Sequence, residues 1–246
     1  MTTKTNLNKK IIIGFIGFFV LLIFSVIQFY PVVETAFATG ETATDDVVVT
    51  LDVTSGIAIT PGDDVTMLPN IGVTANSSIG TSSWNVKTNA IDGYTLAVKA
   101  LTAPALKSGS NSFDDYTEAL GTCSDVSKTT RATCEAVSAI WTPTPETWSV
   151  GSGDIEFGYS AYGTDVTTMG IWGTGTSCGS AGTPTATLNY AGFTTNNNTI
   201  STGTMTDLSV NPLGVTTTIC FAAEQKDIYA PSGTYTATIT ATATTL

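Results

Sequence analysis

Near the end of this chain Tyr235, Ala237, Ile239, Ala241 and Ala243 occupy every second position, with a threonine between each neighbouring pair. Side chains of an extended strand point alternately to opposite faces, so this period of two gives one apolar face and one hydroxyl-bearing face. The same alternation recurs in Val47, Val49, Leu51 and Val53, in Ile155, Phe157, Tyr159 and Ala161, and in Val215, Thr217, Ile219 and Phe221. Trp84, Val86 and Thr88 share one face, and after a turn at Ile91, Asp92 and Gly93 the residues Tyr94, Leu96 and Val98 repeat the pattern, which reads as a hairpin. Threonine, present 48 times, is β-branched and carries a hydroxyl, which suits the wet face of a sheet.

Further strands are predicted at 56–60, 147–150 and 186–192, with an edge strand, or two short strands, over 65–75 where Pro69 and Gly72 interrupt the run. Two stretches lose the alternation. Residues 101–146 hold Pro104, Gly109, Pro143 and Pro145 and read as a long insertion with one helical turn near 113–120, and residues 163–183 form a loop rich in Gly, Thr and Ser. Nine or ten short strands punctuated by turns predict an all-β fold. The expected architecture is a two-sheet antiparallel β-sandwich of the Ig-like or jelly-roll type with two long loop insertions, preceded by an N-terminal hydrophobic helix. Its inward faces are expected to carry Val47, Val49, Leu51, Val53, Trp84, Val86, Leu96, Val98, Phe157, Tyr159, Ile219, Phe221, Tyr235, Ala237 and Ile239.

The hydrophobic helix comes from residues 11–30, uncharged and mostly apolar, which follow Lys4, Lys9 and Lys10 and precede Pro31. Ala36 and Ala38 stand at the spacing a signal peptidase reads, so residues 1–38 are expected to act as a signal peptide, leaving a single domain over 39–246. Twenty apolar residues are also enough to span a bilayer, and an uncleaved leader would anchor the chain to the membrane through 11–30. A pilin-type leader is a third reading, though the run lacks an early glutamate. All three put the body outside the cell.

That body carries six basic residues against nineteen acidic ones, a net charge of −13, which argues against nucleic acid and against an anionic lipid surface as partners. The expected partners are components of the cell envelope or further copies of the chain. Four cysteines and no histidine in an exported chain point to disulfides rather than to zinc or thiol chemistry. Cys123 and Cys134 lie eleven apart inside the first insertion and are expected to pair, which leaves Cys178 with Cys220.

Without histidine no Ser-His or Cys-His nucleophile can be assembled, so the chain is read as non-catalytic; Glu118, Glu146, Asp154 and Glu156 are the carboxylates a glycoside-cleaving pair would draw on. No cofactor is expected, with calcium as the one alternative. Asp114, Asp115 and Glu118 are the candidate oxygen ligands, and solvated turn residues the plainer reading; Asp63 and Asp64 form a lesser acidic pair. Among the tryptophans, Trp84 and Trp148 begin apolar alternations and are expected in the core. Trp141 and Trp172 fall in loop sequence and are the candidates for contact with a ligand.

Trp84, Asn85, Val86 and Trp148, Ser149, Val150, in a threonine-rich chain ending on Gly233, Thr234, Tyr235, Ala237 and Ile239, resemble the WxL-type surface domains of Gram-positive bacteria and similar secreted bacterial proteins. Valine stands in both places where that motif has leucine. The resemblance implies a cell-surface β-sandwich. The expected function is that of a structural envelope component or surface subunit, with a surface binding or adhesion module for glycans or another cell as the alternative.

Overall fold

The computed structural model describes residues 47–167, 170–204 and 213–246. The leader and its cleavage site lie outside the described residues. An N-terminal unit ends at Asp52, and a second unit, Val53–Leu246, carries the strands. Its first half runs β1 (Ile57–Thr60), β2 (Ser77–Thr88), β3 (Tyr94–Ala100), β4 (Leu106–Ser108), β5 (Asn111–Asp115), β6 (Gly121–Cys123), α1 (Arg131–Glu135), β7 (Trp141–Pro143) and β8 (Glu146–Thr147). The second half runs β9 (Ile155–Gly163), α2 (Thr164–Thr167), β10 (Gly179–Ser180), β11 (Thr183–Pro184), β12 (Asn189–Gly192), β13 (Asn198–Gly203), β14 (Val215–Gln225) and β15 (Ile239–Thr245). The chain is all-β, built from several sheets.

The large sheet is ordered β1-β2-β14-β9-β12-β8, with β5 joined to β9 and β4 to β5; a second sheet is ordered β13-β3-β15. Its spine is β14, which pairs β2 from Val215↔Val86 to Glu224↔Ser77 and β9 from Thr217↔Gly163 to Gln225↔Ile155. The run Ile219 to Ala223 is apolar without a break because both faces of this central strand are buried. Ile219, Phe221 and Ala223 turn towards the three-stranded sheet and join one core with Trp84, Val86, Leu96, Val98, Phe157, Tyr159 and Ile200. Phe193 stacks between Tyr159 and Phe157, with ring centroids 4.4 and 5.3 Å away. Such pairs add about 0.5–1.5 kcal/mol each beyond the area they bury.

On the opposite face Cys220 and Ala222 join a second cluster with Tyr116, Cys178, Leu188 and Tyr190, against which Trp148 and Tyr162 pack. The two stretches expected as free loops therefore supply a cover for the outer face of the large sheet.

Several expectations are corrected. β2 and β3 are not a hairpin: β2 lies in the large sheet and β3 pairs with β13 and β15, so the turn at 89–93 carries the chain from one sheet to the other. Gly93, at φ +93°, sits so close to the carbonyl of Gly203 that no side chain would fit. The large sheet is not wholly antiparallel, because β5 runs parallel to β9 through Asp114↔Glu156 and Asp115↔Phe157. A strand, not a helical turn, occupies 111–115, since Phe113 anchors in the main core and alternation there outweighs helical propensity. Residues 65–75 form no strand beyond an isolated bridge from Leu68 to Ile79.

Val47, Val49, Leu51 and Val53 form no strand and are exposed, because alternation marks which face would be apolar but supplies no partner. Tyr235, Ala237 and Ile239 are only half-buried, at an outer strand and the segment leading into it.

Candidate functional site

A cluster of ionisable and aromatic side chains lies where the first cover meets the large sheet. Strand β5 delivers it. Its parallel pairing with β9 fixes Asp115 and then Tyr116, whose N–H donates to the Phe157 carbonyl at 2.8 Å. From there the chain crosses Glu118, enters the disulfide Cys123–Cys134 (Cα atoms 5.7 Å apart), and passes through α1. The helix begins at Thr130, whose hydroxyl caps the N–H of Thr133. Cap and disulfide together hold Arg131, the sole arginine of the sequence, over β5 and β12.

Arg131 donates from Nη1 to the Tyr116 carbonyl at 3.2 Å and from Nη2 to the Phe193 carbonyl. Its guanidinium lies 3.8 Å from Asp115, 3.9 Å from Glu118 and 2.9 Å from Glu135, the last one helical turn away. Glu118 is sealed: its Oε1 accepts from the Trp141 indole at 2.6 Å, its Oε2 from the Gly192 N–H at 3.1 Å. Asp115 accepts from the Ala105 N–H at 3.0 Å. Burial pushes the Asp115 carboxyl up to about 6, against the pull of that N–H and of Arg131.

A second row lies alongside. Glu146 accepts from the Ala119 N–H at 3.0 Å, and Glu156 from the Thr117 N–H at 3.2 Å. Burial raises Glu156 to about 7, and Asp154 and Asp114 add to the rise through their charge. Trp148 stacks on Tyr116 with centroids 4.6 Å apart and donates its indole N–H to Glu224 at 2.7 Å.

The second cover is fixed differently. Cys178 and Cys220, Cα atoms 5.4 Å apart, tie the segment leading into β10 to the middle of β14, and the Tyr190 hydroxyl donates to the Cys178 carbonyl at 3.3 Å. Both disulfides are structural bonds of a chain in an oxidising compartment. Among the described residues no cysteine is free, and no helix is long and apolar enough to cross a membrane.

Two site expectations are corrected. Trp141 and Trp172 are not exposed rings, being 2% and 3% accessible. Trp141 closes over Glu118, and Trp172 enters the main core beside Tyr159 at 5.3 Å, since an indole in a short cover has more apolar area to lose than a loop can leave in water. Asp114, Asp115 and Glu118 do not form a calcium site. Asp114 points to solvent while Asp115 and Glu118 face Arg131, and among the described residues no three His, Cys, Asp or Glu side chains converge as metal ligands. Arg131 supplies the positive charge that an ion would have brought. Of the four carboxylates considered for glycoside cleavage, Glu118 is enclosed, Asp154 is exposed, and Glu146 and Glu156 hold backbone N–H groups.

Arg131 and Tyr116 are the residues that sequence reasoning missed. The signal for the first was present: one arginine in 246 residues, three positions before a cysteine, in a stretch rich in acid.

Fold and site together define an all-β chain stapled by two disulfides, with a sheet covered on its outer face by a cystine-bearing, arginine-clamped insertion. Comparison with protein-family models, with curated proteins and with solved structures finds no match.

Proposed function

We propose that the protein is an exported, non-catalytic two-sheet β-sandwich, Ig-like or jelly-roll in type, that serves as a structural subunit of the bacterial cell surface. The observation that carries the reading is the commitment of the buried carboxylates. Asp115, Glu118 and Glu156 each accept from a main-chain N–H, and Trp141 and Arg131 take up further oxygens, so the site's chemistry is spent on holding a cover against a sheet. A buried network satisfied in this way makes a rigid surface. The acidic, threonine-rich body, the two disulfides and the resemblance of Trp84 to Val86 and Trp148 to Val150 to WxL-type surface domains support the same reading, with the leader as the route of export.

A second reading, a binding or adhesion module for glycans or another cell, is favoured by one observation. The cystine lobe of the first cover exposes Leu120, Val126, Val137 and Ile140, with Val126 93% accessible. A rigid lobe with apolar side chains in water is a surface that can meet a partner.

The test is fractionation of intact cells followed by sizing of the released protein. A subunit is recovered with the envelope in multimers that persist on dilution. A monomer that binds cells through Val126 and Ile140, and loses binding in Val126→Asp, favours the second reading.

A further inference from the structure

Strand β15 is the outer strand of the three-stranded sheet; β1 approaches it, but no described strand is hydrogen-bonded to its outer edge. Leu101 N–H donates to the Thr238 carbonyl at 3.0 Å and Leu246 N–H to the Gly93 carbonyl at 3.1 Å. The register with β3 runs unbroken from Ile239↔Ala100 to Thr245↔Tyr94. Even-numbered residues therefore exchange hydrogen bonds with β3, and the N–H and C=O groups of Ile239, Ala241, Ala243 and Thr245 point away from it. No described strand pairs with that side. Proteins blunt such edges by shortness, charge, proline or a bulge. β1 has four residues, β8 has two, and β13 is broken by a register shift between Thr199 and Ser201. β15 has seven residues and none of these devices. Its inward row, Ile239, Ala241 and Ala243, is only half-buried.

The chain also holds a segment with the complementary deficit. Val47, Val49, Leu51 and Val53 alternate over seven residues, lie in no strand, and remain 77–85% accessible. Four large apolar side chains in alternation are the sequence pattern of a strand, and they belong to none of the described sheets. Asp52 is the only charge among them, and β15 carries none.

We infer that the free edge of β15 in one copy takes residues 47–53 of a second copy as an added strand, with Val47, Val49, Leu51 and Val53 extending the row of Ile239, Ala241 and Ala243. The inference rests on the subunit reading and gives it a contact. Donor and acceptor are different surfaces of the same chain, so the contact is head-to-tail and repeats into a ring or a filament.

With no free cysteine among the described residues, introduced thiols give clean readouts. Full-length chains carrying Val47→Cys, Val49→Cys or Leu51→Cys are mixed with chains carrying Ala241→Cys or Ala243→Cys and oxidised. The expected result is a disulfide-linked pair for one register of combinations and not for the others. Absence of any mixed pair overturns the inference, as does a chain bearing both cysteines that closes only on itself. Two further variants separate this contact from the subunit reading. Leu51→Asp changes a residue already in water, and Ala243→Pro removes an outward N–H while leaving the ladder to β3 intact. Both are expected to keep the thermal midpoint and abolish the multimer. If multimers form on wild-type cells and persist in both variants, the subunit reading stands and the β15 contact falls. If the wild type is monomeric on the envelope, both fall.

Discussion

Glu118 lies beneath Trp141, whose indole nitrogen donates to its Oε1 at 2.6 Å, and both residues are buried. The two sit 23 residues apart on opposite sides of the Cys123–Cys134 lobe, so the bond closes the lobe onto the sheet. Trp141→Phe keeps an aromatic ring of smaller size and removes the donor, leaving a buried carboxylate oxygen unmatched. The expected loss is about 1–3 kcal/mol, read as a lowered urea midpoint with unchanged slope.

Arg131 is the counter-charge for Asp115 and Glu118 and also donates to two carbonyls. Arg131→Ala would leave carboxylates buried without a partner, a change that costs about 3–5 kcal/mol in comparable settings. Arg131→Lys should recover little, because one ammonium cannot reproduce the fork that reaches the Tyr116 and Phe193 carbonyls together. Hydrogen exchange should show 116–141 opening first in both variants, while β2 and β14 remain protected.

Stability should fall as pH rises through the neutral range. Asp115 and Glu156 have folded values of about 6 and 7, above their ordinary 3.8 and 4.5, so the folded state holds protons that the unfolded chain releases. The stabilisation is complete below about pH 4 and is lost as pH climbs through 6 to 7. Denaturation midpoints between pH 4 and 8.5 test this. Glu156→Gln should flatten the upper part of the profile, and an unchanged profile would refute the role given to Glu156.

The two disulfides should differ in weight. By loop length the Cys123–Cys134 closure is worth about 3 kcal/mol and the Cys178–Cys220 closure about 4 kcal/mol. Replacing each pair by alanine should lower the melting temperature in that order. Only the second replacement should also loosen the outer-face cluster around Tyr190 and Leu188, seen as faster exchange in β12.

What the sequence disclosed follows from what alternation encodes. In β9 and β14 it marks the inward residues, and Phe157, Tyr159, Ile219 and Phe221 are all in the core. Alternation is silent about partners, which is why β2 and β3 read as a hairpin and why 47–53 reads as a core strand. β13 escaped notice because Ile200 is its one large apolar residue; Asn198 and Ser201 are buried polar groups that periodicity cannot distinguish from exposed ones. The first cover was illegible for a related reason. It is held by single anchors, Phe113, Tyr116 and Trp141, spread over short strands and irregular segments, so no period develops. The site was legible in composition and not in geometry: the acidic residues and the tryptophan were visible, whereas their convergence on one arginine depends on the parallel β5–β9 pairing, which no local pattern announces.

The central claim, that the chain is a surface subunit whose buried chemistry is structural, is tested most directly by electron microscopy of cell envelopes. Envelopes from cells that make the full chain should be compared with envelopes from cells that lack it. The account predicts a regular layer or filament that labels with antibody to the body and disappears with the gene. Label scattered over an unchanged surface, or confined to the cell interior, would contradict it.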